Sequence, residues 1–185
     1  PNNLSCKENT KKLHYPIHIT PLFNKEYVAV YNDGNLYLNN DITKLNLWSG
    51  PLENSKPNNN ISLTMVCQDP NGMLLSVGTD EKLYMKMSDD ITSPWSPNPV
   101  PNSDGVIYVL YDLESGKLIG LNSDGLLIRK QTEDITSKWE RISNDNKPLL
   151  KIGWNMNGHL LGIDTSFKLN QKRDKNWIES PWKDK

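Results

Sequence analysis

The chain is poor in the residue types that build metal sites and catalytic sites. Its 185 residues include two cysteines, three histidines (His14, His18 and His159) and three arginines. The histidines do not have the spacing of a metal-ligand set, and no Ser-His-Asp or Cys-His arrangement is supported by spacing. We therefore predict no metal ion, no cofactor and no enzymatic activity.

Charge and hydropathy exclude two further classes of function. The 21 Lys and Arg residues nearly balance the 22 Asp and Glu residues, and both signs are interspersed along the chain. That balance argues against nucleic acid and against an anionic membrane surface as partners. No apolar run approaches the roughly 20 residues that span a bilayer, so we expect no membrane insertion.

The chain does contain an internal repeat. The tripeptide Asp-Ile-Thr occurs three times with a tryptophan after each copy: Asp41 and Trp48, Asp90 and Trp95, Asp134 and Trp139. A leucine marks the same phase in four copies: Leu36, Leu83, Leu127 and Leu169. The fourth copy lacks the tripeptide but keeps the frame, with Trp182 in the tryptophan position. A period near 45 residues indicates one supersecondary unit per copy.

The pattern within each copy is typical of β-strands. Apolar residues alternate or run in short blocks between Asn-Gly and Asp-Gly turns, and no window carries a helical stripe. Four antiparallel strands in about 45 residues are the content of one propeller blade. The sequence predicts an all-β, four-bladed β-propeller over residues 13–185, after a polar N-terminal arm (1–12). The repeats cover approximately 13–57, 58–104, 105–148 and 149–185.

Small features of the sequence bear on its compartment. Asn3 and Asn60 each begin an N-glycosylation sequon, and the chain begins at Pro1, as a processed or trimmed protein would. A disulfide between Cys6 and Cys67 would close a loop of about 60 residues, contribute roughly 4 kcal/mol and tie the arm to the second copy. We favour a secreted, disulfide-bonded glycoprotein. Two free thiols, with Cys67 as a small core residue, are the alternative.

One segment resembles a known family. The stretch DPNGMLLSVGTDEKLYMK (69–86) is similar to a repeat of tachylectin-2, an N-acetylglucosamine-binding propeller lectin, and the other copies are weaker versions of it. The resemblance implies a β-propeller fold and a sugar site at the turn that contains Asp69 and Asn71, or at its counterparts. This chain departs from the family in having four repeats rather than five and in carrying the Asp-Ile-Thr tripeptide.

The repeated side chains also suit carbohydrate recognition, which needs a flat aromatic face beside carboxylates or amides. The candidates are the four repeat tryptophans Trp48, Trp95, Trp139 and Trp182, with Asp41, Asp90 and Asp134. The alternative is structural: the tryptophans wedge between sheets and the aspartates cap their own turns. Trp154 and Trp177 do not fit the repeat, and we expect Trp177 to be exposed.

These observations together predict a secreted, non-enzymatic lectin. We expect it to bind glycans or glycoproteins, N-acetylhexosamines in particular, with one site per blade and a gain in avidity from multivalency. The alternative is a protein-binding propeller, comparable to hemopexin-like modules, that acts through the variable segments 50–60 and 97–105. A sialidase would need about six blades and an arginine cluster, which this chain lacks. The sequence leaves homo-oligomerisation open.

Overall fold

All the secondary structure of the described chain is β. The computed structural model describes residues 13–41, 43–44, 47–112, 114–142, 146–172, 177–178 and 180–184. In these described ranges, fourteen strands form four antiparallel sheets, each built from consecutive strands of one repeat. The prediction of an all-β, four-bladed propeller is confirmed. The predicted N-terminal arm (1–12) lies outside the described residues.

The four sheets are the blades, and each begins with its innermost strand. Blade one contains β1 (Pro16–Pro21), β2 (Tyr27–Tyr31) and β3 (Leu36–Asn39). Blade two contains β4 (Leu63–Gln68), β5 (Leu74–Gly78) and β6 (Leu83–Met85). Blade three contains β7 (Val106–Asp112), β8 (Lys117–Asn122), β9 (Leu127–Lys130) and β10 (Trp139–Arg141). Blade four contains β11 (Leu149–Trp154), β12 (Leu160–Asp164), β13 (Leu169–Lys172) and β14 (Lys183–Asp184).

A regular fourth strand is present only in blades three and four of the described chain. In blades one and two a single antiparallel bridge takes its place, Leu38 with Ser49 and Lys86 with Trp95. The first strand of every blade also has a register shift at the same repeat position, for example between Leu63 and Met65. The four copies of the repeat therefore share this irregularity of the backbone as well as their sequence pattern.

The turn between the second and third strands links each blade to the next. Leu63, the first residue of β4, donates its N–H to the Gly34 carbonyl at 3.1 Å, and Leu149 of β11 donates to Gly125 at 2.8 Å. Both glycines have positive φ, and a Cβ on Gly34 would lie 2.3 Å from the Ser62 Cβ. Glycine at these turns therefore permits both the backbone conformation and the close approach of the next blade.

The apolar core lies between neighbouring blades. One cluster joins blades one and two, a second joins blades two and three, and a third joins blades three and four. A smaller cluster of Ala29, Tyr31 and Tyr37, with Trp48 packed against it, belongs to blade one alone. Among the described residues, no cluster joins blade four to blade one. Three junctions of the propeller are thus packed alike, and the fourth differs.

Candidate functional site

The repeat tryptophans lie at the outer edge of the blades. Trp139 is in β10, Trp95 makes the bridge that replaces a fourth strand, and Trp182 precedes β14. Trp95 is buried, and the other three are half-buried. The indole nitrogens of Trp95 and Trp139 are buried and have no hydrogen-bond partner in the described part of the chain. These two N–H groups are therefore not presented to solvent.

A fully buried lysine lies under three of these tryptophans. The ammonium nitrogens of Lys86, Lys130 and Lys172 lie 4.8, 4.5 and 5.1 Å from the ring centroids of Trp95, Trp139 and Trp182. Desolvated cation–π contacts of this kind stabilise by about 2 kcal/mol. Each lysine stands three residues after the repeat leucine, and Asn39 occupies that position in blade one.

The lysines bind main-chain carbonyls that close the outer loops. Lys86 Nζ donates to the Ser93 carbonyl at 2.5 Å and to the Asn54 carbonyl at 2.7 Å. Ser93 belongs to the same blade, whereas Asn54 belongs to the linker from blade one. Lys130 repeats the arrangement with Ser137 at 2.6 Å and Asn102 at 3.2 Å. A buried ammonium needs such partners, and here they connect one blade to the next.

The linker asparagines complete this connection. Asn54 and Asn102 have φ of 49° and 54°, in the left-handed region that asparagine tolerates better than most residues. Their side-chain amides donate to the carbonyls of Thr92 and Thr136, at 2.9 and 2.8 Å, in the next blade's Asp-Ile-Thr loop. We call the buried lysine, its tryptophan, the linker asparagine and the Asp-Ile-Thr loop the blade staple.

The Asp-Ile-Thr aspartates cap their own loops. Asp90 Oδ1 accepts hydrogen bonds from the N–H and the hydroxyl of Thr92, both at 2.8 Å, and Asp41 and Asp134 do the same with their threonines. The backbone and hydroxyl donors of Thr92 hold the pKa of Asp90 below its usual value. The carboxylates of Asp90 and Asp134 are solvent-exposed. Whether they or the tryptophans also contact a ligand stays a prediction.

The turn favoured by the family resemblance is only partly open to solvent. Asp69 is buried, and its Oδ1 accepts the N–H groups of Asn71 and Met73 at 2.9 and 2.7 Å. Asn71 is exposed. The corresponding turns of blades three and four are capped in the same way by Asp112 and Asn155.

A cleft lies where the Asp112 and Asn155 turns meet. Its volume is about 340 Å³, and it is lined by Asp112, Glu114, Trp154, Asn155, Met156, Gly158 and Trp177. We call it the blade three–four cleft. Both tryptophans that break the repeat line this cleft, and none of the four repeat tryptophans does. In the sequence, Trp154 and Trp177 are visible as residues that do not fit the repeat, but nothing there indicates that they lie together.

The two cleft tryptophans are held rigidly. The Trp154 indole N–H donates to the Tyr111 carbonyl of blade three at 2.8 Å, and its ring meets Trp177 edge to face at 5.8 Å. Trp177 is buried, so the expectation that it is exposed is wrong, because it packs in the cluster between blades three and four. Trp154 is half-buried, with Glu114 and Met156 exposed beside it.

A second cavity, of about 400 Å³, lies among the four inner strands. Val66 donates its N–H to His18 Nδ1 at 3.3 Å, so Nε2 carries the proton toward the Tyr108 hydroxyl at 3.0 Å. Burial, and secondarily Lys151, lowers the pKa of His18 to about 4, and burial raises the pKa of Tyr108 to about 12. Both groups are neutral near pH 7, and their pairing links blade one to blade three.

The predicted disulfide is not supported. Cys67 is a buried free thiol, and burial raises its pKa to about 12. Cys6 and the sequon at Asn3 lie outside the described residues. Asn60 is exposed, which a glycosylation acceptor requires.

The segments predicted to be variable docking loops have internal roles. In 50–60, Asn54 joins the blade staple and Ser55 donates to the Asn35 side chain at 2.8 Å. In 97–105, Val100 and Ser103 are buried and Asn102 joins the staple. Both segments therefore contribute contacts between blades, although most of their residues are exposed, and a docking role for them stays a prediction.

Metal-ligand clusters and membrane-spanning helices are both absent from the described residues. No group of three or more His, Cys, Asp or Glu side chains in that part of the chain is arranged to hold a metal ion. No helix within it is long and apolar enough to cross a membrane.

Comparison with known proteins identifies the fold only. No protein-family model matches the chain, and no curated protein does. Solved structures of YCF48 match it, one bound to D1 peptide (TM-score 0.53, 15% identity) and one from Cyanidioschyzon merolae (TM-score 0.58, 12% identity). Both alignments cover 92% of this chain, but 53% and 56% of the YCF48 chains. The extracellular domain of BT4673 from B. thetaiotaomicron matches with a TM-score of 0.52 and 15% identity, over 90% of this chain and 21% of that one.

The chain has a β-propeller fold. It spans about half the length of the YCF48 structures, and identities of 12–15% carry the likeness no further than the fold. The tachylectin-2 likeness stays a resemblance of sequence.

Proposed function

We propose that this propeller is a non-enzymatic binding protein that takes a sugar, an N-acetylhexosamine in particular, in the blade three–four cleft. The observation that carries the proposal is Trp154. Its ring is fixed at both its edge and its N–H, yet it stays half-exposed in an open cleft beside the exposed carboxylate of Glu114. A rigid aromatic surface next to a hydroxyl or amide acceptor is what a sugar requires.

The side chains of the cleft divide into support and contact. Asp112 Oδ2 accepts the Ser115 hydroxyl at 2.6 Å, and Asn155 Oδ1 accepts two backbone N–H groups of its own turn. These groups hold the cleft walls. Glu114 remains as a charged acceptor for a sugar hydroxyl or an acetamido N–H, while the exposed Met156 offers an apolar contact for a methyl group.

The proposed site changes the expected stoichiometry. One site per blade would require four equivalent clefts, but Trp154 and Trp177 have no counterparts in the other copies. We therefore expect one strong site per chain and no avidity from within a single chain. A secreted location remains part of the proposal, supported by the exposed sequon at Asn60.

Calorimetry and tryptophan fluorescence with N-acetylglucosamine and N-acetylgalactosamine test the proposal. We expect binding near one site per chain, and Glu114→Gln should weaken it about tenfold because a charge-assisted hydrogen bond is lost. Asp124→Asn, an equally exposed turn acid elsewhere in blade three, is the matched control and should bind like the parent. Silence with both sugars and across a glycan array would refute the lectin proposal.

A second candidate ligand for the same cleft is a peptide. Met156 is fully exposed at its rim and Trp154 lies within it, an apolar pair that would also accept an amino-acid side chain. Peptide capture that depends on Met156 but not on Glu114, with no response to sugars, would favour this protein-binding alternative. Such a partner would dock at the cleft, whereas the alternative predicted from the sequence would act through segments 50–60 and 97–105, most of whose residues are exposed.

A further inference from the structure

Met156 differs from the other apolar side chains in having no packing role. Its relative exposure is 105%, the highest among the large hydrophobic side chains of the described chain, and it belongs to none of the hydrophobic clusters found there. It lies in the turn between β11 and β12, at the repeat position that Pro70 occupies in blade two. The fold therefore does not require a methionine at this turn.

The side chain of Met156 lines the blade three–four cleft, together with Trp154 and the exposed Glu114. The other methionines have different surroundings. Met87 is 63% exposed but does not line the cleft, and Met65 is 2% exposed within the core between blades two and three. Of the five methionines, Met156 is thus the one that combines full exposure with a place in the candidate site.

Exposed thioethers react with hydroperoxides by transfer of one oxygen atom. The sulfur lone pair attacks the distal oxygen, an S–O bond forms, the O–O bond breaks, and the proton of the distal oxygen passes to the departing one. The sulfur loses two electrons, and the hydroperoxide is reduced to water or an alcohol. The sulfoxide is polar where the thioether is apolar, and methionine sulfoxide reductases reverse the change.

We propose that Met156 is an oxidation site, and that its sulfoxide weakens ligand binding in the blade three–four cleft. Oxidation replaces an apolar contact at the rim with a polar oxygen, in the same cleft as the Glu114 carboxylate. A methyl group of a ligand then meets a polar surface. The loss of affinity rests on the proposed function of the cleft, whereas the oxidation itself does not.

Limited treatment with hydrogen peroxide, followed by peptide mass spectrometry, tests the oxidation site. We expect Met156 to react at least roughly tenfold faster than Met65, because a buried sulfur meets the oxidant only when the structure opens locally. Met156 should also react ahead of Met87, and methionine sulfoxide reductases should restore it. Oxidation of Met156 that lags behind any of the other four methionines overturns the proposal.

Calorimetry with N-acetylglucosamine, before and after peroxide treatment, tests the effect on the cleft. Oxidation should weaken binding by the parent about fourfold, which corresponds to the loss of an apolar contact the size of one methylene group. Met156→Leu is compared only with itself, and its affinity should be the same before and after peroxide. Met87→Leu is the matched control, which should bind like the parent and lose affinity on oxidation as the parent does.

The affinity of the untreated parent separates the two ways of failing. A parent that binds neither sugar nor peptide before oxidation refutes the proposed function, and the order in which the methionines oxidise still decides whether Met156 is the oxidation site. A parent that binds with equal affinity before and after oxidation of Met156 overturns the effect on the cleft. Equal losses of affinity on oxidation in the parent and in Met156→Leu overturn it too.

Discussion

The chain has two kinds of tryptophan, and they lie in different surroundings. Trp95 and Trp139, which the repeat dictates, cover buried lysines at the outer corners of the blades. Trp154 and Trp177, which the repeat does not dictate, line an open cleft between blades three and four. The tryptophans that recur hold blades together, whereas those that break the pattern form the cleft, with Trp177 buried behind the half-exposed Trp154.

The two kinds of tryptophan differ because a repeated position and a unique position are under different packing constraints. A position that recurs in several blades must satisfy the same packing and hydrogen-bond demands each time, as the blade staple does with Lys86 and Lys130. A position free of the repeat can be shaped by one local need. In this protein, departure from the repeat is therefore what marks the proposed binding cleft.

The largest expected effect comes from removing a staple lysine. Lys86→Ala should lower the free energy of unfolding by about 3–5 kcal/mol, because it leaves two part-buried carbonyls without their donor and a cavity under Trp95. Chemical denaturation measures the change. Lys138→Ala, at an exposed lysine of the neighbouring blade, is the control and should cost less than about 0.5 kcal/mol. A similar loss in both variants would show that the buried lysine has no special role.

The same lysine should give stability a dependence on alkaline pH. Burial lowers the pKa of Lys86 from 10.5 to about 8, so between these values the unfolded chain binds more protons than the folded one. Stability relative to Lys86→Met should therefore rise by about 1–2 kcal/mol between pH 7.5 and 9.5. The difference between the two proteins cancels the opposite effect of the Cys67 thiol, whose folded pKa is raised. A pH-independent difference would contradict the prediction.

A smaller effect is expected from the linker asparagines. Asn102→Gly keeps the left-handed backbone accessible but removes the amide that donates to Thr136, and should cost about 1 kcal/mol. Asn71→Ala, in an exposed turn with no staple contact, should cost less than half of that. Thermal unfolding of both variants checks the order, and equal losses would argue against the inter-blade role.

The smallest expected effect on stability lies in the cleft. Glu114→Gln should change the free energy of unfolding by less than about 0.5 kcal/mol, because its side chain is exposed. The same variant should weaken sugar binding about tenfold, as described above. Glu114 is thus expected to contribute to binding but not to stability, whereas Lys86 is expected to contribute to stability. A large loss of stability in Glu114→Gln would remove that contrast.

Much of the fold could be predicted from spacing. The segments Leu63–Gln68 and Leu83–Met85 lie where alternating apolar residues and turn signals place strands, because hairpin chemistry is local. The lysines three residues after Leu83, Leu127 and Leu169 are equally visible in the sequence, but their burial could not be predicted. A lysine is usually exposed, and nothing local indicates that Trp95 will cover one.

The sequence could indicate the candidate site only through two tryptophans that do not fit the repeat. Trp154 and Trp177 could be seen to break the repeat, but they are 23 residues apart in sequence and meet only because blade four folds its first strand and its outer loop against blade three. The predicted exposure of Trp177 was wrong for the same reason. Burial at a junction depends on the neighbouring blade, which no window of sequence contains.

By itself, the sequence determined the number of blades, their strands and their turns, since these depend on residues a few positions apart. Only the tertiary structure decided which repeated side chains are buried, because each ammonium and its indole are completed by a linker carbonyl that lies 32 residues before Lys86 and 28 before Lys130. It also decided that Ile163 and Leu169 are uncovered although their counterparts are core residues. The same apolar sequence pattern is buried where a neighbouring blade packs against it and exposed at the outer face of blade four.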